Sequence, residues 1–248
     1  MNKVFSLLKA EAKKIAQQNL PSFYTIFSRE QNQAKNFFFD HPLIYRLRED
    51  VLPFILDSFG HGIEHAKKVA LDASTIVLIE GKHLPNPLLK KAFLLSQIAG
   101  LLHDTCRTEE DHALKGAELS QEILEDYPLS QEEKEIIYLA IKNHEAFGPR
   151  IEIKDDLAQL VSAALYDGDK FRWGPDNFTT TLWSICSYNQ WGIEELKKRM
   201  PQALEFMQKI KDTFRTSTGI NFGPEIVDCG LLIGKHLYQT LQQIENYA

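Results

Sequence analysis

The dipeptide His103-Asp104 closes an apolar helical run, Ala92 to Leu102, so an imidazole and a carboxylate sit side by side where a buried helix is about to end. Burying such groups without partners costs roughly 2–7 kcal/mol for a neutral one and more for a charge. A metal ion satisfies both at once. Further ligand types stand at suitable places, His65 upstream and Asp169 downstream. Each has an ordinary structural reading when taken alone. A histidine early in a helix is commonly a boundary residue, and Asp169 in Asp167-Gly-Asp-Lys170 can cap a helix or a turn. In the order His, His-Asp, Asp along one helical stretch, they read together as a ligand set. Two imidazoles and two carboxylates suit a divalent transition ion such as Mn, Fe, Co, Ni or Zn, with Mg also admissible, and leave positions for water and substrate.

The elements that must position these residues are helices. Leu43–Phe59, Ile63–Ile79, Pro87–Leu102, His112–Leu124, Gln131–Asn143, Asp155–Tyr166 and Ile226–Ile244 all carry apolar residues at three- and four-residue spacing. Ser130 before Gln131-Glu132-Glu133 predicts a capping box. Pro85, Pro87, Pro128 and Pro149 fall between or at the edges of the periodic segments, where helices stop or start. Arg150-Ile-Glu-Ile153 is briefly strand-like and too short to matter. After Asp169, Phe171 to Phe178 mixes aromatic, basic and turn residues. It reads either as a pocket wall or as a tight turn whose aromatics return to the core. The expected architecture is all-α: one domain over 1–248, with a core at about 58–175, additional N-terminal helices, and a C-terminal helical extension at about 176–248.

With 248 residues, 44% of them hydrophobic, the chain can bury a substantial core. Its net charge of −6 and the lack of a Lys/Arg stripe argue against a polynucleotide partner, while leaving room for a local basic pocket. Cys106, Cys186 and Cys229 are scattered and form no CxxC pair, which fits a reducing compartment rather than a disulfide framework. The N-terminus mixes charged and apolar residues at helical spacing, unlike a signal peptide. No apolar run reaches the roughly 18–20 residues needed to span a bilayer. The expectation is a cytoplasmic protein without a membrane partner.

The residues around these positions resemble the HD-domain metal-dependent phosphohydrolases. HxxKV surrounds His65, Ile98-Ala-Gly-Leu-Leu-His-Asp104 matches the HD context, and DxDKF ends the series at Phe171. The likeness spans roughly Gly60 to Trp173. It implies an all-α bundle with a metal in its core, held by His65, His103, Asp104 and Asp169. Asp167 would then lie behind the ligands or cap a helix. Asp111-His-Ala-Leu-Lys-Gly-Ala-Glu118 and Ala140-Ile-Lys-Asn-His-Glu145 are similar to segments of relatives that bind two metals, the HD-GYP phosphodiesterases and the symmetrical dinucleoside tetraphosphate hydrolases. His112 and His144 thereby become candidate ligands of a second ion bridged by Asp104, or phosphate contacts. Their plain structural readings are a helix start and a helix end.

Departures from those relatives are visible. His112 follows Asp104 by only eight positions, the adjacent pair reads Asn143-His144, and no GYP follows Gly148-Pro149. A cyclic-di-GMP phosphodiesterase is therefore disfavoured, and the number of ions, one or two, stays open. His61 precedes His65 by four residues, as an extra ligand or as part of the chain's approach to the helix.

What the resemblance implies for chemistry is hydrolysis of a phosphomonoester or phosphodiester by metal-activated water. The substrate would be a small phosphorylated metabolite, nucleotides included. Phosphoryl transfer calls for nearby cations: Lys170 first, then Arg172, Arg107 and Lys115, with a surface-charge reading beside Arg172 and Lys115. Asp104 would orient the water, and His112 or His144 would protonate the leaving oxygen if not a ligand, with Glu145 behind them. Trp173 and Phe171 would stack on a base or belong to the core. Two other classes remain. The six-residue order H…HD…H…H…D is shared with mixed-valent di-iron oxygenases of this fold, and some HD-like domains are non-catalytic regulatory modules that have lost ligands which this chain keeps.

Overall fold

Three helices buried over most of their surface form the centre of the protein, as expected of elements surrounded by other elements. In a computed structural model, residues 3–55 and 60–244 are described. Among them are twelve α-helices and no strand. The N-terminal helices are α1 (Lys3–Gln18), α2 (Ser22–Ile26), α3 (Ser28–Asp40) and α4 (Pro42–Val51). They are followed by α5 (Ile63–Glu80), α6 (Asn86–Leu102), α7 (His112–Ile123), α8 (Gln131–Lys142) and α9 (Asp156–Lys170). The chain ends with α10 (Leu182–Tyr188), α11 (Ile193–Ile210) and α12 (Ser217–Gln243). No helix among the described residues is long and apolar enough to cross a membrane.

α5 packs most extensively against α6 and α9, and these three carry the first ligand candidates. Small residues allow the close approach. A Cβ on Gly100 of α6 would lie 2.4 Å from Ala70 Cα of α5, and one on Gly168 of α9 would lie 2.7 Å from the Ala73 nitrogen of α5. Buried polar groups tie the layers together. Gln97 Nε2 on α6 donates to Ala34 O on α3 at 2.9 Å and to Ser74 Oγ on α5 at 3.1 Å. Around this centre, α4 covers α6, α7 and α8 pair beside α9, and α12 lies against α11 and α1.

Several boundaries match the apolar periodicity. α7 and α8 start at His112 and Gln131, and the capping box is formed: Ser130 N donates to Glu133 Oε2 at 2.8 Å, and Glu133 N to Ser130 Oγ at 3.2 Å. Other boundaries move. The helix expected over Leu43–Phe59 stops at Val51, where Pro53, without an N–H, closes it. Residues 56–59 of that span, the core boundary expected near 58, and 245–248 of the extension lie outside the described residues.

α9 runs one turn beyond Tyr166, through Asp167-Gly168-Asp169 to Lys170. The Asp-Gly-Asp signal for a turn is overridden because Gly168 is needed against α5 and Asp167 finds partners outside its own helix. Asp167 Oδ1 accepts from Arg215 N at 2.8 Å, and Oδ2 accepts from Thr216 N at 2.8 Å and Thr216 Oγ1 at 2.7 Å. It thus holds the start of α12, where Thr216 Oγ1 caps Gly219 N at 2.8 Å. α12 accordingly begins at Ser217, nine residues before the expected Ile226. Arg150–Ile153 has no strand partner; the backbone N and O of Ile151 instead pair with the Asn143 side chain, both at 2.9 Å.

Candidate metal centre

Where the central helices converge, their polar ends face one another. His103 caps the C-terminus of α6, and its Nδ1 lies 2.9 Å from Gly100 O. A neutral ring that donates Nδ1–H to a carbonyl leaves Nε2 as a bare lone pair. His144, just past α8, does the same, with Nδ1 2.6 Å from Ile141 O and Nε2 buried without a hydrogen-bond partner. His65, in the first turn of α5, places its Nε2 3.2 Å from His103 Nε2. Two ring nitrogens at that distance are held together only by a proton or a cation between them.

Asp104 stands at the middle. Its Oδ2 is 2.7 Å from His61 Nδ1, 3.3 Å from His103 Nε2 and 3.5 Å from His65 Nε2. Its Oδ1 has no hydrogen bond and faces His144 Nε2 at 3.6 Å and an Arg107 guanidinium nitrogen at 3.7 Å. Asp169 Oδ1 lies 3.4 Å from His65 Nε2 and 3.7 Å from His103 Nε2, while Lys170 Nζ donates to its Oδ2 at 2.5 Å.

Three overlapping groups have all their ligand atoms within 4.8 Å of one another: His61, His65 and Asp104; His65, His103 and Asp169; Asp104, His112 and His144. The two orphaned atoms, Asp104 Oδ1 and His144 Nε2, belong to the third. Neutral imidazoles and carboxylates of this kind fit a divalent metal ion.

Charge distribution points the same way. Burial pushes the His65 imidazole down to about 4, and burial with His144 and Arg107 nearby lowers His112 to about 4. Burial also opposes charge on His103, but the carboxylates of Asp104 and Asp169 outweigh it and raise this imidazole to about 10. Against burial, His103 holds Asp104 well below the usual carboxylate range, and Lys170 does so for Asp169. Without metal, His103 therefore keeps a proton between the two anions. A divalent ion bound there must displace it. Its affinity should rise up to about tenfold per pH unit between pH 6 and 8, with close to one proton released on binding. Calorimetry in buffers of different ionisation enthalpy measures that release, and pH-independent affinity with no proton released would contradict it.

The remaining expected residues separate clearly. Half-buried His112 opens α7, its Nε2 3.0 Å from Arg107. His61 is added to the set; it lies before α5 begins and reaches Asp104 from the preceding turn, and its spacing of four from His65 was the available signal.

Arg172 is buried rather than solvated, with its guanidinium committed to Asp72, Asp176 and the Tyr24 hydroxyl. Lys115 is exposed and paired with Glu109 at 2.9 Å, away from the cavities beside the cluster. Phe171 belongs to the core against Phe23, whereas Trp173 lines the pocket, so the post-Asp169 segment serves both readings.

Two larger cavities flank the cluster. One, of about 630 Å³, is lined by His112, His144 and Glu145. The other, of about 520 Å³, is lined by His65 and Asp169 on one side and by α10 and α11 on the other. His61, Arg107, Lys170, Trp173, Ile185 and Phe206 border both.

The family model described as HD domain matches residues 62–164, which takes in His65, His103, Asp104, His112 and His144 and stops short of Asp169. No curated protein and no solved structure matches the chain.

Proposed function

We propose that this chain, a member of the HD-domain superfamily through residues 62–164, is a metal-dependent phosphohydrolase acting on a small phosphorylated metabolite. The observation that carries the reading is the position of Asp104. One of its oxygens faces His61, His65 and His103, and the other, without a hydrogen bond, faces His144. A carboxylate so placed is suited to serve two ions. His65, His103, Asp104 and Asp169 would hold the first, and Asp104, His112 and His144 the second.

A divalent ion held there would supply Lewis acidity toward a phosphoryl oxygen and would lower the pKa of water toward neutrality. The chain's own groups do the rest. Lys170 and Arg107, at the border of both cavities, neutralise charge on the phosphoryl oxygens. His61 orients Asp104 through its 2.7 Å contact. Arg172 acts as a strut, joining the turn after α9 to Asp72 on α5.

Replacing Lys170 by Ala is expected to lower kcat/KM by about 10²-fold, the scale of losing one preorganised contact. Metal content, measured by elemental analysis, should stay at the parent value; a variant that loses metal instead would make Lys170 a support of the ligands.

A phosphoester panel with Mn, Co, Ni, Mg and Fe, run beside metal analysis, tests the reading. Phosphate release that depends on added metal supports it. The six-ligand convergence also suits a di-iron oxygenase, so two irons, oxygen consumption and no phosphate release would overturn it. Protein that binds no metal would favour a regulatory module.

A further inference from the structure

The two cavities at the cluster differ in chemistry, and the difference bears on what is bound. From Asp169 outward, the 520 Å³ cavity presents no other acidic side chain among the described residues. Its far wall is Phe178, Ile185, Trp191, Leu196 and Met200, with Trp173 at the border. Phe178, Leu196 and Met200 are buried, so this is a built surface and not a fold in the exterior. Polar side chains are few: Asn177, whose amide is turned to Met207 Sδ at 3.4 Å, Thr181, and Gln202, which is exposed. Little remains to read the edge of a nucleobase or the hydroxyls of a sugar.

The cations set the size of the anionic part. Arg172 is committed to Asp72 and Asp176, and Arg199 to Glu195 at 2.5 Å and to the Trp191 ring at 4.4 Å. Lys170, which also donates to Asp169 Oδ2 at 2.5 Å, and Arg107, 3.0 Å from His112 Nε2, stand at the mouth beside His61. These two cations beside a metal centre suit one phosphoryl group, and farther along the cavity the guanidinium groups of Arg172 and Arg199 are already paired with carboxylates. The volume lies within the range of small-ligand sites.

Resting on the phosphohydrolase reading, we propose that the substrate is a phosphate ester with a single phosphoryl group and an apolar organic group, seated against the α10–α11 wall. Hydrolysis then forms a bond from water oxygen to phosphorus and breaks the bond from phosphorus to the ester oxygen. The leaving oxygen takes the proton that water gives up, yielding an apolar alcohol and inorganic phosphate. α11 and α10, outside the span matched by the family model, thereby set specificity.

Straight-chain alkyl phosphates test this, because their leaving groups differ little in acidity and only the apolar contact changes. With metal-loaded protein, kcat/KM should rise from ethyl to hexyl phosphate by about fourfold per methylene until the cavity is filled. Binding of the matching non-hydrolysable alkylphosphonates, followed by calorimetry, should rise in parallel. Ala203→Gln, which puts an amide into the wall, is expected to flatten both series. Turnover that is flat or falling with chain length, or tighter binding of nucleoside triphosphates than of hexylphosphonate, overturns the inference while leaving hydrolysis standing. Rising phosphonate affinity with no ester hydrolysed would uphold the apolar site and overturn the hydrolase.

Discussion

Replacing Asp104 by Asn should lower phosphate release by about a thousandfold or more, the scale of removing a main electrostatic contact in an active site, and should deplete bound metal. The substitution is nearly isosteric and keeps an oxygen for the His61 contact at 2.7 Å. What it removes is charge, at the position shared by the ligand group with His61 and the ligand group with His144. His103 loses the largest attraction that raises it to about 10, so the balance that holds a cation or proton between His65 and His103 is lost as well. Elemental analysis with a phosphate assay gives the outcome. An Asn variant with the parent's metal content and turnover would contradict the assignment.

Gly100→Ala should strongly destabilise the fold. In an ordinary helix interior, alanine is favoured over glycine by roughly 0.5–1 kcal/mol. Here the added methyl would meet Ala70 Cα at 2.4 Å, Ala70 N at 2.7 Å and Ala70 Cβ at 2.9 Å. Two of those atoms are backbone and cannot rotate away, so the clash outweighs propensity. A cost of about 3 kcal/mol is expected, as for overpacking in a dense core. For a chain of this size that lowers the melting temperature by roughly 6–12 °C. The same crossing sets the distance from α5, which carries His65, to the end of α6, which carries His103 and Asp104. Metal affinity should therefore fall with stability. Calorimetric melting reads the first effect, and an unchanged or raised melting temperature would show that α5 and α6 separate at little cost.

The central helices were legible because their apolar residues recur at helical spacing, and the HD dipeptide stood out because two polar groups closed such a run. The order of His65, His103-Asp104 and Asp169 pointed to one site, and the fold brings those four together with His112 and His144. Less legible were features that depend on partners far along the chain. Asp167-Gly168 reads as a turn until α5 and the start of α12 are present to receive it. α11 has a helical pattern in Leu196, Met200, Ala203, Met207 and Ile210, interrupted by Pro201, and its place beside the cluster follows only from packing. The pairing of Arg172 with Asp72 on α5 left no signal, because that partner is distant in sequence. His61 lies outside the helix whose spacing related it to His65, and only the turn before α5 carries it to Asp104.

Reconstitution of chelator-stripped protein with Mn, followed by phosphate release from a phosphoester, tests the central claim most directly. No release is expected from stripped protein, with recovery as one to two equivalents per chain are added. Full turnover by the stripped protein, or no release at any metal content, would contradict it.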